Sequence, residues 1–132
     1  MLNTNGSARK ICAAVDAWND NGRLDPELFE AELAYFKRRY HPNGDFSHHF
    51  FGLHFRQPDC EGLVRSVLDG SDDGPRHRTA AALIIVFRYR NNLFHGLKWE
   101  DELADQLDNF NAANSILMKA MDRYGGAGFH AA

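Results

Sequence analysis

Within eight consecutive positions the chain carries Arg88, Arg90, Asn91, Asn92 and His95: two guanidinium groups, two amides and an imidazole. Histidine, with an ordinary pKa of about 6.5, is the side chain best suited to proton transfer near neutrality. Arginine offers a planar fork of donors that fits a phosphate or a carboxylate. The amides can orient either group. At about 100° per residue, Arg88, Asn91, Asn92 and His95 fall within an arc of roughly 100° on a helix, and Arg90 lies on the other side. Gly96 follows at once and marks a helix end, where a frayed turn could swing His95 toward Arg90. Spacing alone therefore leaves open which arginine accompanies the histidine.

The stretch closes an apolar run, Ala80–Phe87 (Ala-Ala-Ala-Leu-Ile-Ile-Val-Phe). A helix that is apolar on every side is buried on every side, which predicts the central helix of the fold. Leaving a polar group buried without a partner costs roughly 2–7 kcal/mol, and far more for a charge. The polar end of this helix must therefore find partners or line a cleft.

Arg90-Asn91-Asn92-Leu93-Phe94-His95 resembles the Arg-x4-6-His motif of the HEPN superfamily, small all-α domains that are often ribonucleases. The polar residue that follows the arginine in that family is matched by Asn91. An apolar helix enters the motif, Gly96 follows the histidine and a long amphipathic helix comes next, so the resemblance spans about residues 75–124. It implies metal-independent cleavage, in which the RNA 2′-hydroxyl attacks the adjacent phosphate. In that role His95 is the general acid/base or phosphate ligand, Arg90 the phosphate stabiliser and Asn91 the orienting group. Arg88 satisfies the looser spacing and, with Asn92, forms the second choice of catalytic or RNA-binding residues. No cofactor or metal is implied. A homodimer is implied, pairing two copies of the motif across a two-fold axis. Toxin or phage-defence roles are also implied, with a nucleotidyltransferase-like antitoxin as a possible partner. Many such domains are non-catalytic modules that bind RNA, a nucleotide or a partner protein, and that is the alternative function. In a purely structural reading, the polar groups pair with nearby Glu100, Asp101, Glu102 and Asp105.

The remaining sequence must position this stretch. At 132 residues the chain is expected to form one domain, with loose ends at about 1–6 and 125–132. A net charge of −3 argues against broad electrostatic attraction to nucleic acid but not against a local basic cleft. With no apolar run near 18 residues and no leader-like start, the expectation is a cytoplasmic chain without membrane contact. Cys12 and Cys60 have neither disulfide-framework nor metal spacing.

The patterning predicts an all-α, up-and-down bundle of four to five helices, and the resemblance implies a HEPN-like arrangement of them. Ser7 is an expected N-cap for a first helix with Ile11, Ala14, Val15 and Trp18 inward, ending near Asn21-Gly22. Asp25-Pro26-Glu27 reads as the start of a second, carrying Phe29, Leu33, Phe36 and Tyr40. Asp59 is an expected cap for a short third helix, and the central helix starts at Pro75 or soon after. The last runs from near Trp99 to Tyr124 with a stripe of Trp99, Leu103, Leu107, Phe110, Ala113, Leu117, Met121 and Tyr124. Residues 45–57, rich in Phe and His, read as a short strand (Phe51, Leu53, Phe55 alternating) or an aromatic loop. His48, His49 and His54 are weak metal candidates. Phe50 and Phe51 are candidate base-stacking residues.

Overall fold

The computed structural model describes residues 7–92 and 99–125, with the backbone alone over 99–105. Six α-helices follow in order: α1 (Ser7–Asp20), α2 (Glu30–Tyr40), α3 (His48–Phe51), α4 (Glu61–Leu68), α5 (Pro75–Asn92) and α6 (Trp99–Tyr124). Short 3-10 turns at Pro42–Gly44 and Gln57–Asp59 flank α3, and no strand occurs among the described residues. The architecture is the expected all-α bundle. One helix more than expected is present because residues 48–51 coil into a single turn instead of extending.

The central element is α5. Every residue from Thr79 to Tyr89 is buried, and the helix packs against α1, α2, α4 and α6. Three alanines at its start let neighbours approach closely, and Leu83, Ile84, Ile85 and Val86 fill the space between them. Around it, α1 contributes Val15 and Trp18, α2 contributes Leu33, Phe36 and Tyr40, and α4 contributes Val64, Val67 and Leu68. Gly22, at φ +77°, closes α1 in the left-handed region that glycine tolerates. The loop beyond it is clamped to the end of α6. Trp18 stacks flat on Tyr124 with ring centroids 3.8 Å apart, and the Tyr124 hydroxyl accepts the Asp25 N–H at 3.0 Å. Arg23 and Arg123 donate to each other's backbone carbonyls, closing the clamp.

Three local expectations change. Residues 26–29 form turns, with Asp25 accepting the Glu27 N–H, and α2 proper starts at Glu30. Asp59 does not cap α4: Cys60, in a left-handed conformation, occupies that position, and the Asp59 carboxylate is fully buried for another purpose. On α6 the buried face is Asn109, Ala113, Ile116, Ala120 and Tyr124, while Leu107, Phe110 and Met121 are exposed. The expected stripe ran between two apolar faces and mixed them. Trp99 and Leu103, also expected in it, lie outside the described side chains.

Candidate functional site

The site is built on the last turns of α5 and on the chain between α3 and α4. Arg88 is 3% exposed. Its Nε donates to the Leu53 carbonyl at 3.1 Å and its Nη2 to the His54 carbonyl at 2.7 Å. Its Nη1 lies 3.4 Å from the Asp59 carboxylate, which is wholly buried. One turn on, the Asn92 amide donates to the same Leu53 carbonyl at 2.9 Å and to the Arg88 carbonyl at 2.8 Å. Burial lowers the pKa of Arg88, and the Asp59 carboxylate acts against that shift. Arg88 and Asn92, the second-choice site residues, thus bind the chain at residues 53–54 to the central helix.

The first-choice residues lie differently. Arg90 is exposed, and neither its guanidinium nor the half-buried Asn91 amide makes a hydrogen bond or ion pair with a described residue. His95 lies outside the described residues, as do the side chains of Glu100, Asp101, Glu102 and Asp105. The structure therefore separates the two arginines by role: Arg88 is consumed by the fold, and Arg90 is left facing solvent at the end of a buried helix.

The same network presents a histidine whose residue type and spacing suggest only a weak metal role. His54 is exposed and sits at φ +52°, a region that costs an L-residue about 1–2 kcal/mol. Two of the bonds from Arg88 and Asn92 end on the Leu53 carbonyl just before it, and a third ends on its own carbonyl. Its N–H donates to the Phe51 carbonyl at 3.1 Å. The backbone is over-determined, and the imidazole meets no described hydrogen-bonding partner. A left-handed turn is invisible to periodicity, but a histidine two residues after Gly52 in an aromatic segment was the available signal.

Beside this lies an aromatic platform. Phe46, Phe50 and Phe55 pack together, with Phe50 1% exposed and its ring 4.6 Å from Phe46 and 5.3 Å from Phe55. The Arg65 guanidinium covers the Phe46, Phe50 and Phe51 rings at 4.7, 5.1 and 5.9 Å. Phe50 is therefore a core residue and cannot stack on a base. Phe51, 56% exposed, can. The His48 and His49 rings lie against each other at 4.0 Å, with His49 Nδ1 3.4 Å from Arg39. Among the described residues no three His, Cys, Asp or Glu side chains gather where a metal ion could be held. No described helix is long and apolar enough to cross a membrane. Cys12 and Cys60 are free but neighbouring thiols, and burial with the Cys60 contact pushes the Cys12 pKa up to about 11.

Comparison with family models, with curated proteins and with solved structures finds no match for this chain.

Proposed function

We propose that the chain is a metal-independent endoribonuclease of the HEPN type, with Arg90, Asn91 and His95 at its active site. The observation that carries this reading is the contrast at the end of α5. Arg90 is exposed and unpaired among the described residues, while Arg88, two positions earlier, is buried and engaged by two carbonyls and the Asp59 carboxylate. An exposed arginine fork beside a free amide suits an anionic ligand such as a phosphodiester. In the proposed reaction a histidine takes the 2′-hydroxyl proton as the oxygen attacks phosphorus. The bond to the 5′-oxygen breaks, that oxygen receives a proton, and a cyclic phosphate and a 5′-hydroxyl result. Arg90 stabilises the charge on the phosphoryl oxygens. His95 is one proton-transfer group. The imidazole of His54 is exposed on the Arg88 and Asn92 side of α5, across the helix from Arg90, so it is available as a second only toward a phosphate held by the partner copy's motif. The reading includes a homodimer that brings two motif stretches together, and a role in defence or as a toxin held by an antitoxin.

The test is cleavage of a mixed single-stranded RNA in EDTA by the wild type, His95→Ala and Arg90→Ala, each checked for folding. Cleavage by the wild type, with cyclic-phosphate ends and a loss of at least a hundredfold in both variants, is expected. Equal cleavage by all three would place the activity elsewhere. No cleavage by any of them would leave a non-catalytic binding module, the reading that the net charge of −3 favours.

A further inference from the structure

The charge of the chain is unevenly placed. Residues 37–56 hold four Lys or Arg against a single acid, Asp45, so this segment carries +3 within a chain of −3. The same segment contains four of the seven histidines and four of the ten phenylalanines. Cations interleaved with aromatic rings suit single-stranded nucleic acid, whose phosphates need positive charge and whose unpaired bases need flat surfaces.

The fold gathers part of this segment onto one surface. Ser47 fastens the start of α3 to the end of α2: its hydroxyl donates to the Arg39 carbonyl at 2.7 Å and its N–H to the Tyr40 carbonyl at 2.9 Å. The single turn of α3 then divides its side chains. At about 100° per residue, with buried Phe50 pointing inward, His48 lies roughly 160° away on the outer side, and Phe51 and His49 flank it. His48 and Phe51 are exposed. The His48 and His49 rings are 4.0 Å apart, and His49 Nδ1 is 3.4 Å from the Arg39 guanidinium. The order around the turn is therefore Phe51, His48, His49, Arg39: an open aromatic ring, then two imidazoles and a guanidinium that can donate to phosphate oxygens. Arg65 lies 5.9 Å from the Phe51 ring but is already paired with Glu61 at 2.8 Å. Of the large apolar side chains exposed among the described residues, Phe51 is the only one outside α6. A protein contact is built round an apolar cluster, whereas a lone ring beside cations suits a base followed by its phosphate.

We infer that Phe51, His48, His49 and Arg39 form a binding subsite for single-stranded RNA, with a base stacked on Phe51 and the adjoining phosphates against the histidines and Arg39. The inference rests on the reading of RNA as the substrate, but it concerns binding and not cleavage. The subsite is tied to the end of α5, because the Phe51 carbonyl accepts the His54 N–H at 3.1 Å and the His54 carbonyl accepts from Arg88 at 2.7 Å. A phenyl ring makes no hydrogen bond to a base edge. The subsite therefore admits any unpaired base and disfavours a duplex, whose bases are already stacked.

The experiment measures fluorescence anisotropy of a labelled single-stranded 2′-O-methyl RNA of mixed sequence, which lacks the attacking hydroxyl and cannot be cleaved. Phe51→Ala is expected to weaken binding by about five- to a hundredfold. Phe51→Leu, which keeps an apolar side chain without a ring, is expected to lose as much, and Phe51→Trp to retain the affinity. Arg39→Gln, checked for folding, should weaken binding to every sequence and lower the salt dependence by about one counterion. The corresponding duplex should bind roughly tenfold more weakly than the single strand. Phe51→Leu binding as tightly as the wild type, or duplex binding as tightly as single strand, would overturn the proposal by leaving only general attraction to a polyanion. Absence of binding at high micromolar concentration would overturn it too and leave the surface to an acidic protein. Ring-dependent binding of the uncleavable strand, without cleavage of ordinary RNA, would remove the ribonuclease reading alone. Cleavage with an affinity indifferent to Phe51 would remove the subsite alone.

Discussion

The end of α5 and the middle of α6 break the rule of apolar inside and polar outside in opposite senses. The first buries an arginine, and the second exposes a leucine, a phenylalanine and two methionines. At Arg88 the violation is repaired from within, by two backbone carbonyls and a buried carboxylate. Along α6 nothing described in the chain repairs it. A violation that the fold resolves is structural, whereas one left unresolved points outward, to a ligand or a partner. Arg90 belongs with α6 in this sense, although it shares a helix with Arg88.

The largest expected effect separates the two arginines. Removing Arg88 takes a donor from the Leu53 and His54 carbonyls and leaves buried Asp59 with Arg56 alone, so Arg88→Ala should cost about 3 kcal/mol or more. That is a large part of the total stability of a small domain. Arg90→Ala should shift stability by less than about 0.5 kcal/mol. Chemical denaturation of both variants checks this. A cost below about 1 kcal/mol for Arg88→Ala would break the comparison, since the network would then not hold the chain at residues 53–54.

A second, smaller effect comes from a repaired polar group on the flank of α6. Glu32 on α2 is buried, and its Oε2 accepts from Lys119 Nζ at 2.7 Å and from Ser115 Oγ at 2.6 Å. Burial pushes its pKa up, but the bonds from Lys119 and Ser115 outweigh that and hold it below the usual carboxylate value. With the folded pKa depressed, this stabilisation is complete above the unfolded pKa of about 4.3 and is lost as pH falls through the folded value. Glu32→Gln should therefore lower stability by about 1–2 kcal/mol at pH 7, a value limited by the partial exposure of Lys119. The gap to the wild type should close below about pH 4. A gap independent of pH would show that packing, and not the carboxylate, connects α2 to α6 there.

Periodicity and punctuation made most of the helical order legible. The start of α5 at Pro75, the span of α6 from Trp99 to Tyr124 and the turn at Gly22 all follow from residue types. An added Cβ at Gly125 would collide with the Met121 carbonyl oxygen, which is why glycine ends α6. Less legible was anything decided by contacts distant in sequence. Asp59 does cap locally, but the turn before α4: it accepts the Arg56 N–H at 2.7 Å, and its distant partner, Arg88, could not be read from the sequence. The stripe on α6 looked single because a helical wheel cannot say which of two neighbouring apolar arcs meets the bundle. Nor could Phe50 and Phe51 be told apart before the packing of α3 put one inside and one out.

His54 offers the smallest effect and the finest test. Its left-handed backbone costs about 1–2 kcal/mol as histidine, and glycine would remove that strain. Glycine also raises the entropy of the unfolded chain by an amount worth about 0.5–1 kcal/mol. The two terms nearly cancel, so His54→Gly should be as stable as the wild type or up to about 1 kcal/mol more so. The bonds from Arg88 and Asn92 end on carbonyls and survive the change. If the imidazole transfers a proton, the variant should cleave RNA at least tenfold more slowly despite its intact fold, and the pH–rate profile should lose one limb. His54→Asn, which tolerates the same backbone but cannot titrate, should behave likewise. A destabilisation of more than about 1 kcal/mol in His54→Gly would mean instead that the side chain is repaired from within, and His54 would then belong with Arg88 and not with Arg90.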